Sequence, residues 1–529
     1  MYFASRAATR VAALCAVAVT AVLAACSGGG APSAAPTAPA TGGGSGANGV
    51  GGSGGAGTLS WQPCTDLTGM ECSSLQVPLD YAKPGGRKIT LALSMVPATA
   101  PRSQQQGVLL ENPGGPGAPG RSFAELVASG VSPKVAAEYN IVGFDPRGVG
   151  ASVPALSCDP GFYAGAQPDY IPANAAAEQV LINRSKKYAA DCEHRFGWLL
   201  PYMTSANMAR DLDRIRQALG VRQINYYGAS WGTYLGMVYG TLFPGRLRRM
   251  VLDSTVDPTG GWYAFNISQD YAFQGRLDAF YAWTAKYDSV YHLGGTAAEV
   301  RGAFYRARGQ LKAHPVAGPG GQPIGPDEFD DTFMVAAYLN NAWPGLAQAL
   351  SQYLNDGGVG GLDTQFGEWG TQQEDERVQS VYTAVECADV NWPRNWAKWH
   401  ADAVRVYQTA PFMAWDNMWM NAACAFWPVK GPARPFQING KGLPPILMLQ
   451  GTLDAATPYA GAQNAHKLLP TARMVVVEGG GNHGQALESP ANNCVQNYLN
   501  SYLDTGALPS SPGMVNATCA PVPDPTPGS

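Results

Sequence analysis

Short runs rich in β-branched and aromatic residues alternate with longer amphipathic stretches from about Trp61 onward, and no other pattern in the sequence limits the possible folds as strongly. This alternation is typical of an α/β fold, in which a mainly parallel sheet carries helices on both faces. Apolar residues that recur at helical spacing from Met208 to Leu219, just before a strand, indicate one crossover helix. The predicted strands are 89–96, 107–111, 140–144, 223–227, 250–253, 446–450 and 473–478.

A long insertion interrupts this alternation. Residues 258–440 are rich in Trp, Tyr and Ala, contain helical stretches and lie between two predicted strands. Such an insertion should form a helical lid over the carboxyl edge of the sheet, where open α/β sheets bind ligands. We therefore expect a core made of two segments, 59–257 and 441–529, and a lid between them.

Composition narrows the range of partners. Hydrophobic residues make up 46% of the chain, which is ample for a large core and excludes wholesale disorder. The first 58 residues carry only Arg6 and Arg10 as charges, so the remainder holds 33 basic against 39 acidic residues. This acidic balance argues against nucleic acid as a partner.

The N-terminus has the pattern of an export signal. Arg6 and Arg10 precede an apolar stretch, 11–25, that is too short to span a bilayer as a stable helix, and we expect residues 1–25 to be a signal peptide. The sequence Leu-Ala-Ala-Cys at 23–26 resembles the lipobox of bacterial lipoproteins. This resemblance implies a lipid on Cys26 that holds the protein to the outer face of the cell membrane. Secretion after cleavage is the alternative.

A tether should follow the lipidated cysteine. Within 26–58, the residues after Cys26 are only Ser, Gly, Ala, Pro, Thr, Asn and Val. Such a segment cannot bury enough surface to offset the cost of ordering, so we expect a flexible chain with a reach of roughly 30 Å.

The remaining cysteines suggest disulfides. Cys15 leaves with the signal peptide and Cys26 would carry lipid, so eight cysteines remain, and an even number in an exported chain favours disulfide bonds. Sequence alone cannot choose among the possible pairings, and pairing between neighbours is our prediction. Zinc is the alternative, but neither Cys-x-x-Cys nor His-Glu-x-x-His occurs, so we expect no metal and no other cofactor. The predicted pairs are Cys64 with Cys72, Cys158 with Cys192, Cys387 with Cys424, and Cys494 with Cys519.

A nucleophile motif is present at 228–232. Gly-Ala-Ser-Trp-Gly there fits Gly-x-Ser-x-Gly, in which a serine sits on a sharp turn between a strand and a helix. The tether contains the same pattern at 51–55, so the context has to decide. Around Ser230 a predicted strand enters and a helical run, 233–239, leaves, and glycines on both sides would let the two cross closely. We therefore predict a catalytic Ser230. A structural Gly/Ser turn is the alternative.

An acyl-transfer site also needs donors for the developing oxyanion. The loop Asn-Pro-Gly-Gly-Pro-Gly at 112–117 follows a strand, and its glycines allow backbone N–H groups to approach a carbonyl oxygen. Pro116 has no N–H, so we predict Gly115 and Trp231 as the donors. A plain Gly/Pro loop is the alternative.

The base and its orienting acid should each follow a late strand, in the order Ser, acid, His. His483 lies in a glycine-rich loop directly after the last predicted strand, and Asp454 follows the strand 446–450. Asp454 would hold the imidazole of His483 while that ring takes the Ser230 proton. A turn or helix-cap role is the alternative for Asp454. The other histidines fit less well, because they lie beside a cysteine, in or near the lid, or on a predicted helix: His194, His292, His314, His400 and His466.

Together these motifs resemble a known family. The chain is similar, from about Trp61 to Cys519, to the secreted tripeptidyl aminopeptidases of actinobacteria, which are α/β-hydrolases related to prolyl aminopeptidases. The resemblance rests on five segments: 112–117, Phe-Asp-Pro-Arg-Gly at 144–148, 228–232, Cys-Ala-Phe-Trp-Pro at 424–428, and Asp-Ala-Ala-Thr-Pro at 454–458 with His483. It implies the α/β-hydrolase fold, with helices on both faces of the sheet and a large helical lid.

The resemblance also implies an activity. Members cleave short peptides from free N-termini of peptides or proteins through an acyl-enzyme, here on Ser230. The substrate's ammonium then needs a carboxylate, since an unpaired charge in a closed site is costly. Asp389 is our candidate, because the segment 384–389 is similar to a family segment with an Asp two residues after the Cys. A solvated or capping Asp is the alternative, and family members differ in exo- or endopeptidase action.

Two other functions stay open at this level. An esterase or lipase with an apolar lid would use the same three residues. A catalytically silent envelope binding protein would keep only the scaffold, although the intact set of catalytic residues argues against it.

Overall fold

The computed structural model describes residues 59–318, 321–372 and 375–528. The predicted signal peptide, tether and lipidated Cys26 lie outside these residues. Among the described residues, no helix is both long enough and apolar enough to cross a bilayer. The strands are β1 (Gln62–Pro63), β2 (Glu71–Pro78), β3 (Lys88–Val96), β4 (Gly107–Asn112), β5 (Tyr139–Asp145), β6 (Ile224–Ala229), β7 (Leu247–Asp253), β8 (Val316–Ala317), β9 (Pro323–Ile324), β10 (Ile446–Gly451), β11 (Ala472–Val477) and β12 (Ala517–Cys519).

Ten of these strands form one sheet, in the order β1-β2-β3-β5-β4-β6-β7-β10-β11-β12. The pairs β1–β2, β2–β3 and β3–β5 are antiparallel. Every other neighbouring pair in this sheet is parallel. Strand β6 therefore lies near the middle, between β4 and β7. The predicted α/β class is confirmed, and the site motifs are found where the parallel strands end.

Helices cover both faces of the sheet and build the lid. They are α1 (Phe123–Gly130), α2 (Pro133–Glu138), α3 (Ala175–Phe196), α4 (Ser205–Ala218), α5 (Trp231–Leu242), α6 (Trp262–Lys286), α7 (Asp288–Tyr291), α8 (Ala297–Ala313), α9 (Pro326–Tyr338), α10 (Trp343–Ser351), α11 (Gly360–Trp369), α12 (Glu376–Asp389), α13 (Trp396–Tyr407), α14 (Asp416–Asn421), α15 (Tyr459–Leu468) and α16 (Asn493–Thr505).

The two faces of the sheet have separate cores. Because side chains alternate along a strand, neighbouring Leu109 and Leu110 of β4 belong to different clusters. Leu110 packs in the cluster that contains α4 and α5, including Met208 and Leu235. Leu109 packs with α1, α2 and α16 on the opposite face. This double burial explains why the central strands read as continuous apolar runs.

The insertion between β7 and β10 is helical, and much of it has a core of its own. Helices α6, α8 and α9 bring Phe280, Phe304 and Phe333 together, with ring centroids 6.1 Å apart for the first and third and 5.3 Å for the second and third. Strands β8 and β9 form a separate two-stranded sheet there. Helix α12 instead packs on the core, since Val381 and Val385 belong to the cluster of α4 and α5.

All seven predicted strands correspond to strands of the sheet, with ends that differ by up to three residues. Five strands were not predicted. Strands β1, β8, β9 and β12 have only two or three residues, too few for a pattern. Strand β2 is half exposed near the sheet edge and carries Ser73, Ser74 and Gln76, so it lacks the apolar run of a buried strand.

Four disulfides join neighbouring cysteines, in the pairing expected from the sequence. They link Cys64 to Cys72, Cys158 to Cys192, Cys387 to Cys424, and Cys494 to Cys519. The last of these ties the end of β12 to the start of α16.

Candidate active site

The predicted nucleophile stands on a sharp turn between β6 and α5. Ser230 has φ 56° and ψ −129°, a left-handed backbone conformation that L-residues rarely adopt. Its N–H donates to the carbonyl of Asp253 at the end of β7, at 2.9 Å. The turn therefore holds Ser230 at the carboxyl edge of the sheet in a conformation that costs about 1–3 kcal/mol.

Glycines allow the close crossing of strand and helix that this turn requires. A Cβ on Gly228 would lie 2.4 Å from the carbonyl oxygen of Gly232, and one on Gly232 would lie 2.3 Å from that of Asn112. Both contacts are with backbone atoms, which cannot rotate away. The flanking glycines of the motif are thus required by packing.

Asp454 and His483 form a hydrogen-bonded pair. The His483 Nδ1 lies 3.0 Å from both carboxylate oxygens of Asp454, whose side chain is fully buried. Thr457 donates to the same carboxylate through its backbone N–H and its hydroxyl, at 3.0 and 2.9 Å. With the Nδ1 proton directed at Asp454, Nε2 is left as the proton acceptor.

Ser230 and His483 line one cavity of about 140 Å³. The Ser230 hydroxyl oxygen is buried and has no hydrogen-bond partner among the described residues. In sites without substrate, catalytic hydrogen bonds are often long and tighten when substrate binds. The cavity thus brings an unengaged hydroxyl and a carboxylate-oriented imidazole, 253 positions apart in the sequence, to one place.

The loop after β4 lies against the nucleophile. A Cβ on Gly114 would be 2.9 Å from both the Ser230 Cβ and the Trp231 N. Gly115 follows with φ 107°, and Trp231 begins α5, where the first N–H groups have no intrahelical acceptor. The loop and the Trp231 N–H therefore lie beside the Ser230 side chain, where an oxyanion on a Ser230 adduct would form.

Asp253 joins the two halves of the site, a role that the sequence did not indicate. Its carbonyl holds the Ser230 N–H, and its buried carboxylate accepts from the N–H groups of Gln485 and Ala486, at 2.8 and 2.9 Å. The Tyr227 hydroxyl donates to it at 2.6 Å. Burial raises the pKa of Asp253, and these hydrogen bonds oppose that rise. The one available signal was its position at the end of a predicted strand.

The lid holds the backbone of the histidine loop, residues 478–489. The His483 N–H donates to the carbonyl of Tyr338, and the Asn340 N–H donates to the side chain of Asn482, at 2.9 and 2.8 Å. The Asn340 amide in turn donates to Asp524, at 2.7 Å. The segment that ends α9 thus bridges the histidine loop and the residues after β12.

A C-terminal strap, residues 520–526, crosses onto the lid. Besides the contact of Asp524 with Asn340, the Trp283 indole of α6 donates to the carbonyl of Pro525, at 2.9 Å. The Cys494–Cys519 disulfide fixes the start of this strap to the core. The strap therefore adds a further attachment to the chain connections of the lid and to its contacts with the histidine loop.

The structure places Asp389 apart from the cavity of Ser230. Its carboxylate accepts from the N–H of Ser205 at 2.8 Å and from the Ser205 hydroxyl, at the start of α4. Burial raises the pKa of Asp389 to about 7, and the Ser205 hydrogen bonds lower it. This position matches the capping alternative, since Asp389 supports the first turn of a helix and does not line the cavity.

Two other carboxyl groups, which the sequence analysis did not single out, face a second cavity. Asp331 of α9 and Asp416 of α14 line about 50 Å³ of space walled by Phe162, Tyr188 and Trp419, and the Arg184 guanidinium, which stacks on Phe162, lines it as well. The Asp416 Oδ2 is buried and has no hydrogen-bond partner among the described residues. Packing between helices of the lid buries both carboxyl groups, and no local sequence motif predicts this burial.

Burial and neighbouring negative charges raise the pKa of both carboxyl groups. Burial raises the pKa of Asp416 to about 7, with the Asp330 charge adding to the shift. Burial and the neighbouring Asp416 charge raise the pKa of Asp331 well above its ordinary value. Burial, Asp454 and Asp416 together raise the pKa of the Tyr338 hydroxyl. Tyr338 therefore lies within electrostatic reach of both the histidine's partner and the lid carboxyls.

Comparison with known proteins shows extensive similarity. Residues 410–519 match a family model described as TAP-like protein. The chain is 40% identical over 481 residues to the tripeptidyl aminopeptidase of Streptomyces coelicolor, covering 89% of this chain and 87% of that protein. It is 29% identical over 485 residues to serine protease Hip1 of Mycobacterium tuberculosis, covering 86% and 90%. It is 32% identical over 490 residues to carboxylesterase B of the same species, covering 87% and 90%.

The Gly232→Ala variant tests the crossing of β6 and α5. The added methyl would meet the Asn112 carbonyl at 2.3 Å, so we expect a loss of stability of about 2–3 kcal/mol in urea unfolding and a loss of activity through the displaced loop 113–117. Gly309→Ala on α8, where no atom lies within 4 Å, is the control and should gain about 0.5 kcal/mol. Equal unfolding midpoints for Gly232→Ala and the parent would contradict the packing argument.

Proposed function

The chain belongs to the family of the tripeptidyl aminopeptidases, and from that premise we propose that it is a serine peptidase that releases short peptides, tripeptides in particular, from free amino termini. The observation that carries the proposal is the cavity shared by the unengaged Ser230 hydroxyl and the His483 imidazole, with Asp454 behind the ring. Peptides or proteins are the substrates.

The proposed reaction follows from the directions of these groups. The His483 Nε2 takes the proton of the Ser230 hydroxyl as the oxygen attacks the scissile carbonyl, and the Asp454 carboxylate stabilises the imidazolium. The N–H groups of Gly115 and Trp231 stabilise the oxyanion. As the C–N bond breaks, His483 gives its proton to the leaving amine, and an acyl-enzyme remains on Ser230. Water then enters, His483 removes its proton, and hydrolysis returns Ser230 and releases the peptide acid.

The Ser230→Ala variant tests the nucleophile. The substitution removes only a hydroxyl that has no hydrogen-bond partner among the described residues, so we expect an unchanged unfolding midpoint and a fall in kcat of about 10⁴-fold or more. Ser501→Ala, an exposed serine on α16, serves as the control. A fluorophosphonate probe should label the parent and not Ser230→Ala. An unchanged rate in Ser230→Ala, or no labelling of the parent, would leave a silent binding protein as the better interpretation.

An esterase is the second candidate, because one relative of 32% identity is named a carboxylesterase. The same three residues would cleave an ester by the same steps, and only substrate recognition would differ. Matched tripeptide substrates with an amide or an ester at the scissile bond, each with a free or an acetylated amino group, separate the two. Cleavage of the amide that depends on the free amine supports the aminopeptidase. Cleavage of esters alone, blind to the amine, supports the esterase.

Counting residues from a free amine requires a partner for the ammonium, and the pair Asp331 and Asp416 is our proposal for it. The supporting observations are the unpaired Asp416 oxygen, the aromatic walls and the proximity to Tyr338, which also lines the Ser230 cavity. An arriving ammonium would favour ionised carboxyls, which burial otherwise disfavours. It would also gain from the faces of the aromatic rings. Asp389, already bonded to Ser205, is the weaker candidate.

The Asp416→Asn variant tests this anchor. For a tripeptide amide with a free amine, we expect kcat/KM to fall by about tenfold or more, because a charge-assisted contact is lost. The preference for free over acetylated substrate should shrink by the same factor. Asp278→Asn, an exposed carboxyl on lid helix α6, is the matched control. If Asp389→Asn removes the preference and Asp416→Asn does not, the anchor belongs to Asp389.

Export and lipidation are also part of the proposal. Four disulfides within the described residues favour an oxidising compartment. The sequence at 23–26 supports a lipid on Cys26, followed by a tether that would let the catalytic part reach substrates near the membrane.

Metabolic labelling with a clickable fatty acid tests the anchor on Cys26. The parent and Cys15→Ser should take up label and stay with the membrane fraction, whereas Cys26→Ser should take up none. Unlabelled parent protein released into the medium with residue 26 at its N-terminus would instead establish simple secretion.

A further inference from the structure

The cavity beside Ser230 has mainly apolar walls and one carboxylate. Phe123 and Leu126 of α1 and Leu487 of the histidine loop contribute the apolar surface. Glu488 is the sole acidic residue among the described residues that line this cavity. A cavity that combines an apolar surface with one acidic group favours a ligand that has both an apolar part and a cation.

The Glu488 carboxylate accepts one direct hydrogen bond, and the side-chain amide of Asn492 lies close enough to influence it. Its Oε2 accepts from the Asn482 amide at 2.9 Å, whereas its Oε1 is buried with no hydrogen-bond partner among the described residues. Burial raises the pKa of Glu488 to about 7 and the Asp253 charge adds to the shift, while the side-chain amides of Asn482 and Asn492 oppose it. Among the residues that the structure describes, no lysine or arginine lines the cavity to pair with it. An oxygen without a donor in such a place is open to a cation from outside the chain.

The position of the cavity indicates which part of a substrate would enter it. His483 has to reach both the Ser230 hydroxyl and the leaving amine, so the leaving group lies on the His483 side of the nucleophile. Four residues that follow His483 in the sequence form the cavity wall there: Gly484, Leu487, Glu488 and Ser489. The side chain nearest this wall is therefore that of the first residue after the scissile bond.

We propose that Glu488 makes this cavity a subsite for a long basic side chain, lysine or arginine, on the first residue after the scissile bond. The inference rests on the proposed peptidase function and adds to it the preference on the leaving side. The aliphatic part of the side chain would pack against Phe123, Leu126 and Leu487, and its cation would pair with the free Oε1 of Glu488. Lysine and arginine combine such an apolar stem with a charged end.

Two pentapeptides test the subsite with the full-length enzyme. Ala-Ala-Pro-Lys-Ala and its counterpart with norleucine in place of lysine differ only in the charged end of one side chain. We expect the parent to release Ala-Ala-Pro from the lysine peptide with a kcat/KM about tenfold higher. In Glu488→Gln this ratio should fall to near one. Glu478→Gln, an exposed glutamate at the start of the same loop, should keep the parent's ratio.

Charge reversal gives a second measurement. Glu488→Lys should reverse the selectivity, so that a peptide with glutamate after the scissile bond is cleaved faster than the lysine peptide. Such a reversal cannot arise from a general disturbance of the histidine loop. A loss of rate in Glu488→Gln that is equal for both pentapeptides would overturn the proposal, since Glu488 would then act only through Asn482 and His483.

The outcomes separate this subsite from the proposed function. If the parent releases no tripeptide from either pentapeptide, the proposed function fails. If it releases tripeptide equally from both, the function stands and the subsite is wrong. A preference for lysine that appears only when lysine precedes the scissile bond would also overturn the assignment to the leaving side.

Discussion

The rest of the site depends on the hydrogen bonds that Asp253 accepts. Its carbonyl accepts from the N–H of Ser230, which is held in a costly conformation, and its buried carboxylate accepts from the N–H groups of Gln485 and Ala486 in the histidine loop. One residue at the end of a central parallel strand thus sets the distance between two segments far apart in sequence. A buried carboxylate is expensive to keep, and here three donors offset that cost. The placement of Ser230 relative to the histidine loop is therefore set by the end of a sheet strand.

The lid does more than cover the site, because it also holds the backbone of the histidine loop. The end of α9 supplies the carbonyl that holds the His483 backbone and the N–H that holds Asn482. The same helix carries Tyr338 into the Ser230 cavity and Asp331 into the neighbouring one. In the proposed mechanism, substrate recognition and orientation of the base therefore share one helix. Movement of that helix would change both together.

Local patterns predicted those features that are themselves local. The seven main strands, the helical insertion and the motif at Ser230 depend on periodicity or on short sequences, and the family and the fold class that these features indicated are confirmed. The roles of Ser230, Asp454 and His483 stay predictions, although the structure brings the three residues together. Asp331, Asp416 and Glu488 were missed because their burial results from packing between distant helices and loops. Asp389 shows the converse, since its bond to Ser205 depends on where α4 begins.

The strap at 520–526 gives the order of biosynthesis a consequence for activity. The lid, the nucleophile and the histidine all leave the ribosome before Asp524 and Pro525 do. The backbone N–H of Asn340 supports the histidine loop. The side chain of Asn340 gains its hydrogen bond to Asp524 only after that point. A nascent chain can thus carry every reacting group while its lid still lacks one of its attachments. Residues 524 and 525 thus complete the support of a histidine that is translated some forty positions earlier.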